Sequence, residues 1–305
     1  MVRLKAVTGL TLPSVADRLA IAVTMEPDRA RPLPLGQREE AVRHLLQTAA
    51  DAGIKLIATR PEGDAERLLG QTWPFPSPFS VTVKTLSLSE GLDRVEARAR
   101  RSLERMGLPR GDTLLVSSAA ELVGTEGRDL WSRAQRLKER GLFKKIGFVA
   151  SVEDGPEMLA RRLEPDVVQI GCNILDQRAH RRGVIAAIAS KGIEVHVASV
   201  FAQGLLFAHR DTLPPEMMAH DMALSMSRRR LAEARVDPMQ AALAYCLNLN
   251  GVSAVIATVA SSAELRAVVA ASHAPMPNID WQALALDEGP ASIASRLGVK
   301  AANAA

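Results

Sequence analysis

The chain has 305 residues, of which 47% are hydrophobic, 24% are charged and only 3% are aromatic, and its formal net charge is +4. This length and apolar content suffice for one large core, since α/β barrels of about 250 residues form a single unit. Because the basic residues are spread through helix-like segments and aromatic rings are few, the composition disfavours a nucleic-acid-binding surface, which needs a basic patch and stacking rings.

Eight short β-prone runs alternate with longer segments along the chain. The runs span residues 18–25, 54–59, 79–85, 113–118, 145–151, 167–173, 193–199 and 253–259. Near-continuous apolar strands separated by helices predict parallel strands that are buried on both faces. Eight such units in about 250 residues predict the α/β class and a single closed (β/α)8 barrel.

The segments between these runs have the period of amphipathic helices. In residues 38–53, for example, Ala41, Leu45 and Ala49 fall on one face. Further helices are predicted at 92–107, 129–141, 154–164, 179–192, 237–251 and 261–272, and several end in glycine, as a left-handed C-cap requires. The long interval before the last strand predicts an extra loop and helix at about 208–236, and a C-terminal tail follows at about 275–305. No Ser/Gly-rich linker divides the chain, so we expect one domain over 1–305.

The two cysteines and the N-terminal region bear on the location of the protein. Cys172 and Cys246 lie in apolar runs without zinc-ligand spacing, so we expect no metal and a reducing compartment. The N-terminal residues lack the apolar run of a signal peptide, and the run at 19–25 is too short to span a membrane. We therefore expect a cytoplasmic protein that contacts neither membranes nor nucleic acid.

In this fold the chemistry takes place at the C-terminal ends of the strands. The residues at those positions, together with the stretches around them, resemble the aldo-keto reductases over nearly the whole chain. The similar stretches are residues 53–70, 81–85, 144–159, 165–178, 192–207 and 237–265. The resemblance implies reduction of carbonyl compounds with a nicotinamide cofactor, usually NADPH, by a set of four side chains: tyrosine, lysine, aspartate and histidine. Hydride transfer to a carbonyl carbon leaves an alkoxide, so an acid must supply a proton.

Only one residue of this catalytic set matches. Lys84 occupies the lysine position, whereas the resemblance places Ala58 at the aspartate and Ser117 at the histidine. Compared with the family pattern, the loop after Ala58 is one residue short, so the tyrosine position is either deleted or held by Glu62. The single tyrosine of the chain, Tyr245, lies in a helix predicted to pack outside the barrel. No tyrosine can therefore serve as the proton donor.

The cofactor side is also altered. By resemblance, Gln169 would hold the nicotinamide amide, a helix start at Ser262 would bind phosphate through its free N–H groups, and Arg266 would meet the 2′-phosphate of NADP. Ala198 stands where an aromatic ring would stack on the nicotinamide, and Val268 where an asparagine would hold the adenine. The complete set of cofactor-binding candidates is Gln169, Ser199, Phe201, Gln203, Thr258, Ser262 and Arg266.

Three residues are candidates for chemistry at the altered site. Lys84 is either a cation that polarises a ligand oxygen, a Schiff-base amine, or a remnant that pairs with Glu62 or another carboxylate and fills the barrel mouth. Glu62 could replace the tyrosine as acid, although a neighbouring lysine favours the ionised carboxylate. Ser117 could hydrogen-bond a ligand, but no base is evident beside it. His196 is expected to point into the barrel as a core imidazole rather than a catalytic one.

The sequence thus predicts a degenerate aldo-keto reductase-like barrel with weak or no NAD(P)H-dependent reduction and a possible ligand- or dinucleotide-binding role. The alternatives are an active oxidoreductase with a rebuilt proton donor, or a barrel enzyme that uses Lys84 for other chemistry, so enzymatic activity stays open. The predicted partner is a small molecule. The segment at 208–236 and the tail leave room for a protein partner or a second copy of the chain.

Overall fold

The computed structural model describes residues 16–24, 34–74, 76–208, 211, 213 and 215–286. Within this part of the chain, eight parallel strands close into a barrel in chain order, which confirms the predicted fold. The strands are β1 Leu19–Val23, β2 Leu56–Ala58, β3 Ser80–Lys84, β4 Gly111–Val116, β5 Phe143–Ala150, β6 Val167–Gly171, β7 Glu194–Ala198 and β8 Ala254–Val259. The helices are α1 Leu35–Asp51, α2 Ala65–Thr72, α3 Leu92–Arg105, α4 Gly124–Glu139, α5 Pro156–Leu163, α6 Arg178–Arg181, α7 Val184–Ala189, α8 Asp221–Glu233, α9 Pro238–Leu247 and α10 Ser262–Ser272.

Alternate residues of each strand face either the surrounding helices or the barrel interior. The outward residues, such as Ile21, Val83 and Phe148, are fully buried and join the main core that the helices cover. A second, separate apolar cluster fills one side of the barrel interior between β8, β1 and β2. Its members are mostly small: Ala20, Ala58, Ala254 and Ile256, with Ala22, Leu56 and Ala198 packed against them.

The other side of the barrel interior is polar. Lys145 Nζ donates to both carboxylate oxygens of Glu194 at 2.8 and 2.9 Å, and His196 Nε2 lies 3.6 Å from Glu194 Oε2. The His196 ring and the Lys145 ammonium lower the pKa of Glu194 to about 2, against the opposing effect of burial. Gly147 allows β5 to approach β6 here, because a Cβ at this position would lie 1.9 Å from the carbonyl oxygen of Val167.

The helices differ from the sequence prediction in one place. The helix expected over 179–192 is broken into α6 and α7, because Gly183 between them adopts the left-handed conformation with φ +72°. The extra element expected at 208–236 is present as a 3-10 segment, Pro215–His220, followed by α8, while residues 209, 210, 212 and 214 lie outside the described residues. No helix in the described ranges is long and apolar enough to cross a membrane.

The described part of the C-terminal tail returns to the barrel. After α10 the chain forms a 3-10 turn, Gln282–Leu284, and the N–H of Leu286 donates to the carbonyl of Leu175 at 2.9 Å. The Ser227 hydroxyl of α8 donates to the Leu284 carbonyl at 3.1 Å, which ties the tail to the extra helix. Residues 287–305 of the predicted tail lie outside the described residues.

Candidate functional site

The mouth of the barrel at the C-terminal strand ends is accessible to solvent. Thr258 is exposed although it lies within β8, and Ala22, Lys84 and Ala198 on other strands keep part of their surface exposed. The outward residues of the same strands are buried, so this exposure is confined to the interior-facing side. The exposed or partly exposed residues on β1, β7 and β8, Ala22, Ala198 and Thr258, have small side chains.

Lys84 is the last residue of β3 and is partly buried at this mouth. Burial, and to a lesser extent the nearby Arg60 cation, lower the pKa of its ammonium to about 8, against the opposing effect of the Glu62 carboxylate. Among the described residues no carboxylate lies within ion-pair distance of Lys84 Nζ. The geometry thus brings Lys84, Arg60 and Glu62 together, but without the direct Lys84–Glu62 pair that a remnant would form.

Arginine side chains hold the backbone of the loop between β2 and α2, residues 59–64. Arg98 of α3 donates to the carbonyl of Pro61, and Nη2 of Arg105 donates to the carbonyl of Gly63 at 3.0 Å. We refer to Arg98 and Arg105 as the arginine clamp. The clamp fixes the loop that carries two exposed charged side chains beside the mouth.

A buried carboxylate anchors the arginine clamp. Glu66, in the first turn of α2, is 1% exposed, and its Oε2 lies 2.6 Å from Nη2 of Arg98 and 3.7 Å from Nε of Arg105. Asp64, which precedes α2, pairs with Arg38 of α1 at 3.2 Å. Sequence reasoning gave these residues no role, although the arginine-rich composition of α3 was visible in the sequence.

Ser117 is engaged with a neighbouring strand end. Its backbone N–H donates to Oγ1 of Thr85 at 3.1 Å, its hydroxyl lies 3.2 Å from the same atom, and it also hydrogen-bonds the Thr85 carbonyl. Because Thr85 directly follows Lys84, this pairing closes the gap between the ends of β3 and β4. It favours a structural role for Ser117 over direct chemistry.

Gln169 lies in β6, 4% exposed, with its side chain inside the barrel. Its Oε1 atom is buried without a hydrogen-bond partner in the described part of the chain, as is Nδ1 of His196, its neighbour in register on β7. A third such atom, Oγ1 of Thr82, lies in β3. An unpaired buried polar atom is costly, and an amide N–H from a ligand would satisfy the Gln169 oxygen. The sequence gave no sign of the Thr82 orphan.

The turn after β7 contains three predicted cofactor residues. Gln203 Nε2 donates to the Ser199 hydroxyl at 3.1 Å, and both residues have positive φ, 56° and 59°. Asn173 Nδ2 donates to the Ser199 carbonyl at 3.0 Å, and the Phe201 ring packs 5.7 Å from that of Phe207. Non-glycine residues hold positive φ only where surrounding contacts impose it, so this turn has a defined shape beside the mouth.

The remaining cofactor candidates lie at β8 and α10. The Ser261 hydroxyl accepts the Glu264 N–H at 3.1 Å, and Glu264 Oε2 accepts the Ala260 N–H at 2.7 Å, so side chains cap the start of α10. Ser262 is the first residue of this helix, and Arg266 is exposed one turn later. Strands β6, β7 and β8 are adjacent, so all seven candidates occupy one sector. Lys84 on β3 faces β7 across the barrel.

Tyr245 lies in the outer helix layer and not on a strand end. It lies on α9, where its hydroxyl is 3.3 Å from Nδ1 of His180 and its ring centroid is 5.6 Å from that of Trp281. Burial raises the pKa of the phenol. The two cysteines are free and buried, and burial raises the pKa of Cys172 to about 12. These groups belong to the outer packing layer, as the sequence predicted for the tyrosine.

A cavity of about 420 Å³ lies at the opposite end of the barrel, where it is lined by Ser80, Gly111, Asp112 and Lys144. The N-terminal face of such barrels serves stability rather than chemistry. We therefore place the candidate site at the mouth.

The chain is similar to known proteins in sequence pattern and in fold. The model of the Aldo/keto reductase family matches residues 35–285, whereas no curated protein sequence matches the chain. Among solved structures, the aldo-keto reductase AKR11C1 of Bacillus halodurans in its holo form is 18% identical with a TM-score of 0.65, covering 91% of this chain and 92% of that one. The aldose reductase of Giardia lamblia is 18% identical with a TM-score of 0.64, covering 88% and 91%. The Pseudomonas aeruginosa protein PA4992, described as an aldo-keto reductase, is 22% identical with a TM-score of 0.62, covering 88% and 91%. At these identities the structural likeness bears on the fold alone.

Proposed function

The chain belongs to the aldo/keto reductase family, and from that premise we propose that it is a ligand- and dinucleotide-binding barrel with weak or no carbonyl reduction. One observation carries the proposal. The only tyrosine of the chain, Tyr245, is committed to the outer helix layer, so no phenol reaches the mouth to protonate an alkoxide.

The expected loss of turnover is large. Removing one general acid from an active site typically lowers the rate by about 10²–10⁴-fold. Ala58 and Ser117 occupy the positions that the family resemblance gives to the aspartate and histidine, so the partner of the lysine and the substrate-orienting ring are missing as well. The rate effects of changes within one catalytic unit do not simply multiply. The loss of the tyrosine, the aspartate and the histidine would nevertheless each lower the rate.

The residues present fit a dinucleotide at two of three places. The unpaired Oε1 of Gln169 suits the carboxamide of a nicotinamide ring, and the capped start of α10 with Arg266 beside it suits a phosphate group. The third place, at Ala198, offers no ring for stacking. When bound, NADPH would supply hydride; the protein residues would bind and orient it. The fit supports NADP as cofactor, held more weakly than where an aromatic ring stacks.

A second candidate function is an active NADP-dependent oxidoreductase with a rebuilt proton donor. It is favoured by the position of Glu62, an exposed carboxyl close enough to act on the charge of Lys84. In this case Lys84 would orient the carbonyl oxygen and a neighbouring group would supply the proton. Two buried free cysteines are compatible with action in the cytoplasm.

The test is a titration of NADPH and NADH against the pure protein, followed by cofactor fluorescence and by thermal unfolding. A ligand that binds only the folded state raises the unfolding temperature. We expect binding of NADPH, weakened by Gln169→Leu, and consumption of NADPH with a panel of carbonyl compounds at or near the uncatalysed rate. Arg266→Gln should weaken NADPH about tenfold, the loss of one charge-assisted contact, and leave NADH unchanged.

Two results decide against the proposal. Absence of binding at millimolar cofactor would contradict dinucleotide binding by this barrel. Efficient turnover that disappears in Glu62→Gln but persists in the control Glu126→Gln, on the outer helix α4, would establish the oxidoreductase with a rebuilt donor instead.

A further inference from the structure

Lys84 has the surroundings of a reactive amine rather than of an ion-pair partner. The wall beside it ends in methyl groups, since Ala58 pairs in register with Thr82 of β3 and Ala22 pairs with Ala58. Ala58 and Ala22 therefore place apolar methyl groups, and no charged side chain, on the β1–β2 side of the amine. Part of the Lys84 side chain remains exposed at the mouth, so a small molecule from solvent reaches it.

The charges around Lys84 favour its neutral form. Burial and the Arg60 cation both act against the ammonium, and Glu62 opposes them only at a distance. Desolvation and a second cation are the two devices that make a lysine nucleophilic near neutral pH. The arginine clamp holds the loop that carries Arg60, because it binds the carbonyls of Pro61 and Gly63.

We propose that Lys84 forms a reversible imine with small aldehydes that enter the barrel mouth. The lone pair of the neutral amine attacks the aldehyde carbon, and the π pair of the carbonyl moves to oxygen, which takes a proton. The resulting carbinolamine loses its hydroxyl as water, with a proton from solvent, while nitrogen gives up its remaining proton. Aldehyde and amine thus yield imine and water with no oxidant or reductant. This assignment goes beyond the proposed binding function and does not depend on it.

The small residues of the wall set the class of aldehyde. Ala22 and Ala198 are partly exposed and, with the buried Ala58, present methyl groups to the barrel interior. Thr258, exposed on β8, offers a hydroxyl on the same opening. A small aliphatic aldehyde would place its carbonyl at Lys84 and its chain against these methyl groups, so we expect apolar aldehydes to react in preference to charged ones, which would lose hydration there.

The reactivity of Lys84 can be compared with that of other lysines in the same sample. At pH 7 an amine of pKa about 8 is about 10% neutral, against about 0.04% for an ordinary lysine, a difference of roughly 200-fold. Lys55 and Lys191 are exposed and serve as internal references. Reduced access at the mouth offsets part of the difference, so we expect Lys84 to react at least about tenfold faster than either reference.

The experiment treats the full-length protein, without added dinucleotide, with millimolar butanal and cyanoborohydride, which reduces the imine to a stable secondary amine. Peptide mass spectrometry then gives the modification rate at each lysine between pH 6 and 10. We expect selective alkylation of Lys84 with a midpoint near pH 8, the value at which half of the amine is neutral. Arg60→Gln should move this midpoint upward, because it removes a cation that disfavours the ammonium; a purely structural role of Arg60 would not shift it.

Two variants keep the assignment open to refutation. Lys84→Arg retains the charge and removes the nucleophile, so the selective product should vanish while Lys55 and Lys191 react as before. Alkylation of Lys84 at the same rate as these two references in the wild-type protein would overturn the proposal, and this measurement requires no variant to fold. Failure of dinucleotide binding is measured separately with NADPH, so either proposal can fall without the other.

Discussion

Replacing Lys84 by methionine should stabilise the protein at neutral pH. The folded state lowers the pKa of this ammonium from 10.5 to about 8, so it disfavours the charged form. At pH 7 the lysine is charged in both the folded and unfolded states, so the folded state carries the full free-energy cost of burying the charged ammonium. One pKa unit corresponds to about 1.4 kcal/mol, and partial exposure reduces the total, so Lys84→Met should raise the free energy of unfolding by about 1–3 kcal/mol.

The stability difference between Lys84→Met and the wild-type protein should depend on pH in a defined direction. Above pH 8 the folded protein releases the proton while the unfolded chain keeps it until about pH 10.4. The stability of the wild-type protein should therefore rise relative to Lys84→Met over this interval, and the difference should be smallest near pH 10. Urea denaturation at pH 7, 8.5 and 10 measures it, with Lys55→Met, an exposed lysine just before β2, as the control.

Either of two results would refute this reasoning. Destabilisation of Lys84→Met at pH 7 by more than about 1 kcal/mol would mean that the lysine has a stabilising partner. A gain of equal size at pH 7 and pH 10 would mean that packing of the methionine, not removal of charge, is responsible.

Three further changes test the framework around the site. Arg98→Met leaves the buried Glu66 carboxylate with only the more distant Arg105, at 3.7 Å, and should cost about 3 kcal/mol in urea denaturation, while Glu66→Leu in the same chain should recover much of it; strictly additive losses would contradict the pair. The pKa of Glu194 is lowered to about 2 from 4.5, so its contribution is present above pH 4.5 and is lost as pH falls toward 2. Glu194→Gln should reduce by about 1 kcal/mol the free energy of unfolding that is lost between pH 4.5 and pH 2. An unchanged loss would contradict this contribution of Glu194. Gly147→Ala brings a methyl group to 1.9 Å from a β6 carbonyl and should cost about 3 kcal/mol or more by thermal unfolding, whereas Gly36→Ala, with no atom within 4 Å, should not.

The barrel could be predicted from the sequence because its determinants are local. Each strand is a short apolar run, and parallel strands buried on both faces require such runs. The broken helix at Gly183 shows the limit of this reasoning. The periodicity of 179–192 satisfied a helix, but Gly183 takes up a left-handed turn with φ +72°, and glycine tolerates either conformation. The packing of the complete barrel determines whether Gly183 continues the helix or adopts the left-handed turn.

The site was predictable where it depends on strand ends and not where it depends on contacts across the fold. Lys84 ends β3 as expected, because its position follows from the length of an apolar run. The Arg98–Glu66 pair joins residues 32 positions apart, and no local pattern relates them. Thr82 was also missed, since a threonine in a strand is an ordinary β-forming residue. That its hydroxyl is buried without a hydrogen-bond partner depends on the side chains that surround it in the closed barrel.

The two sides of the mouth have diverged differently from the pattern that the family resemblance implies. On the β6–β8 side, Gln169 has an unpaired amide oxygen and α10 begins with a capped N-terminus, the two features that we propose for binding a dinucleotide. On the β2–β4 side, Ala58 and Ser117 stand where the resemblance implies an aspartate and a histidine, and Lys84 has no carboxylate at ion-pair distance among the described residues. A buried amine in this state destabilises the fold, and residues that cost stability are characteristic of functional sites. We propose that Lys84 acts as the reactive amine of this mouth, and its selective alkylation together with the stability of Lys84→Met tests that role.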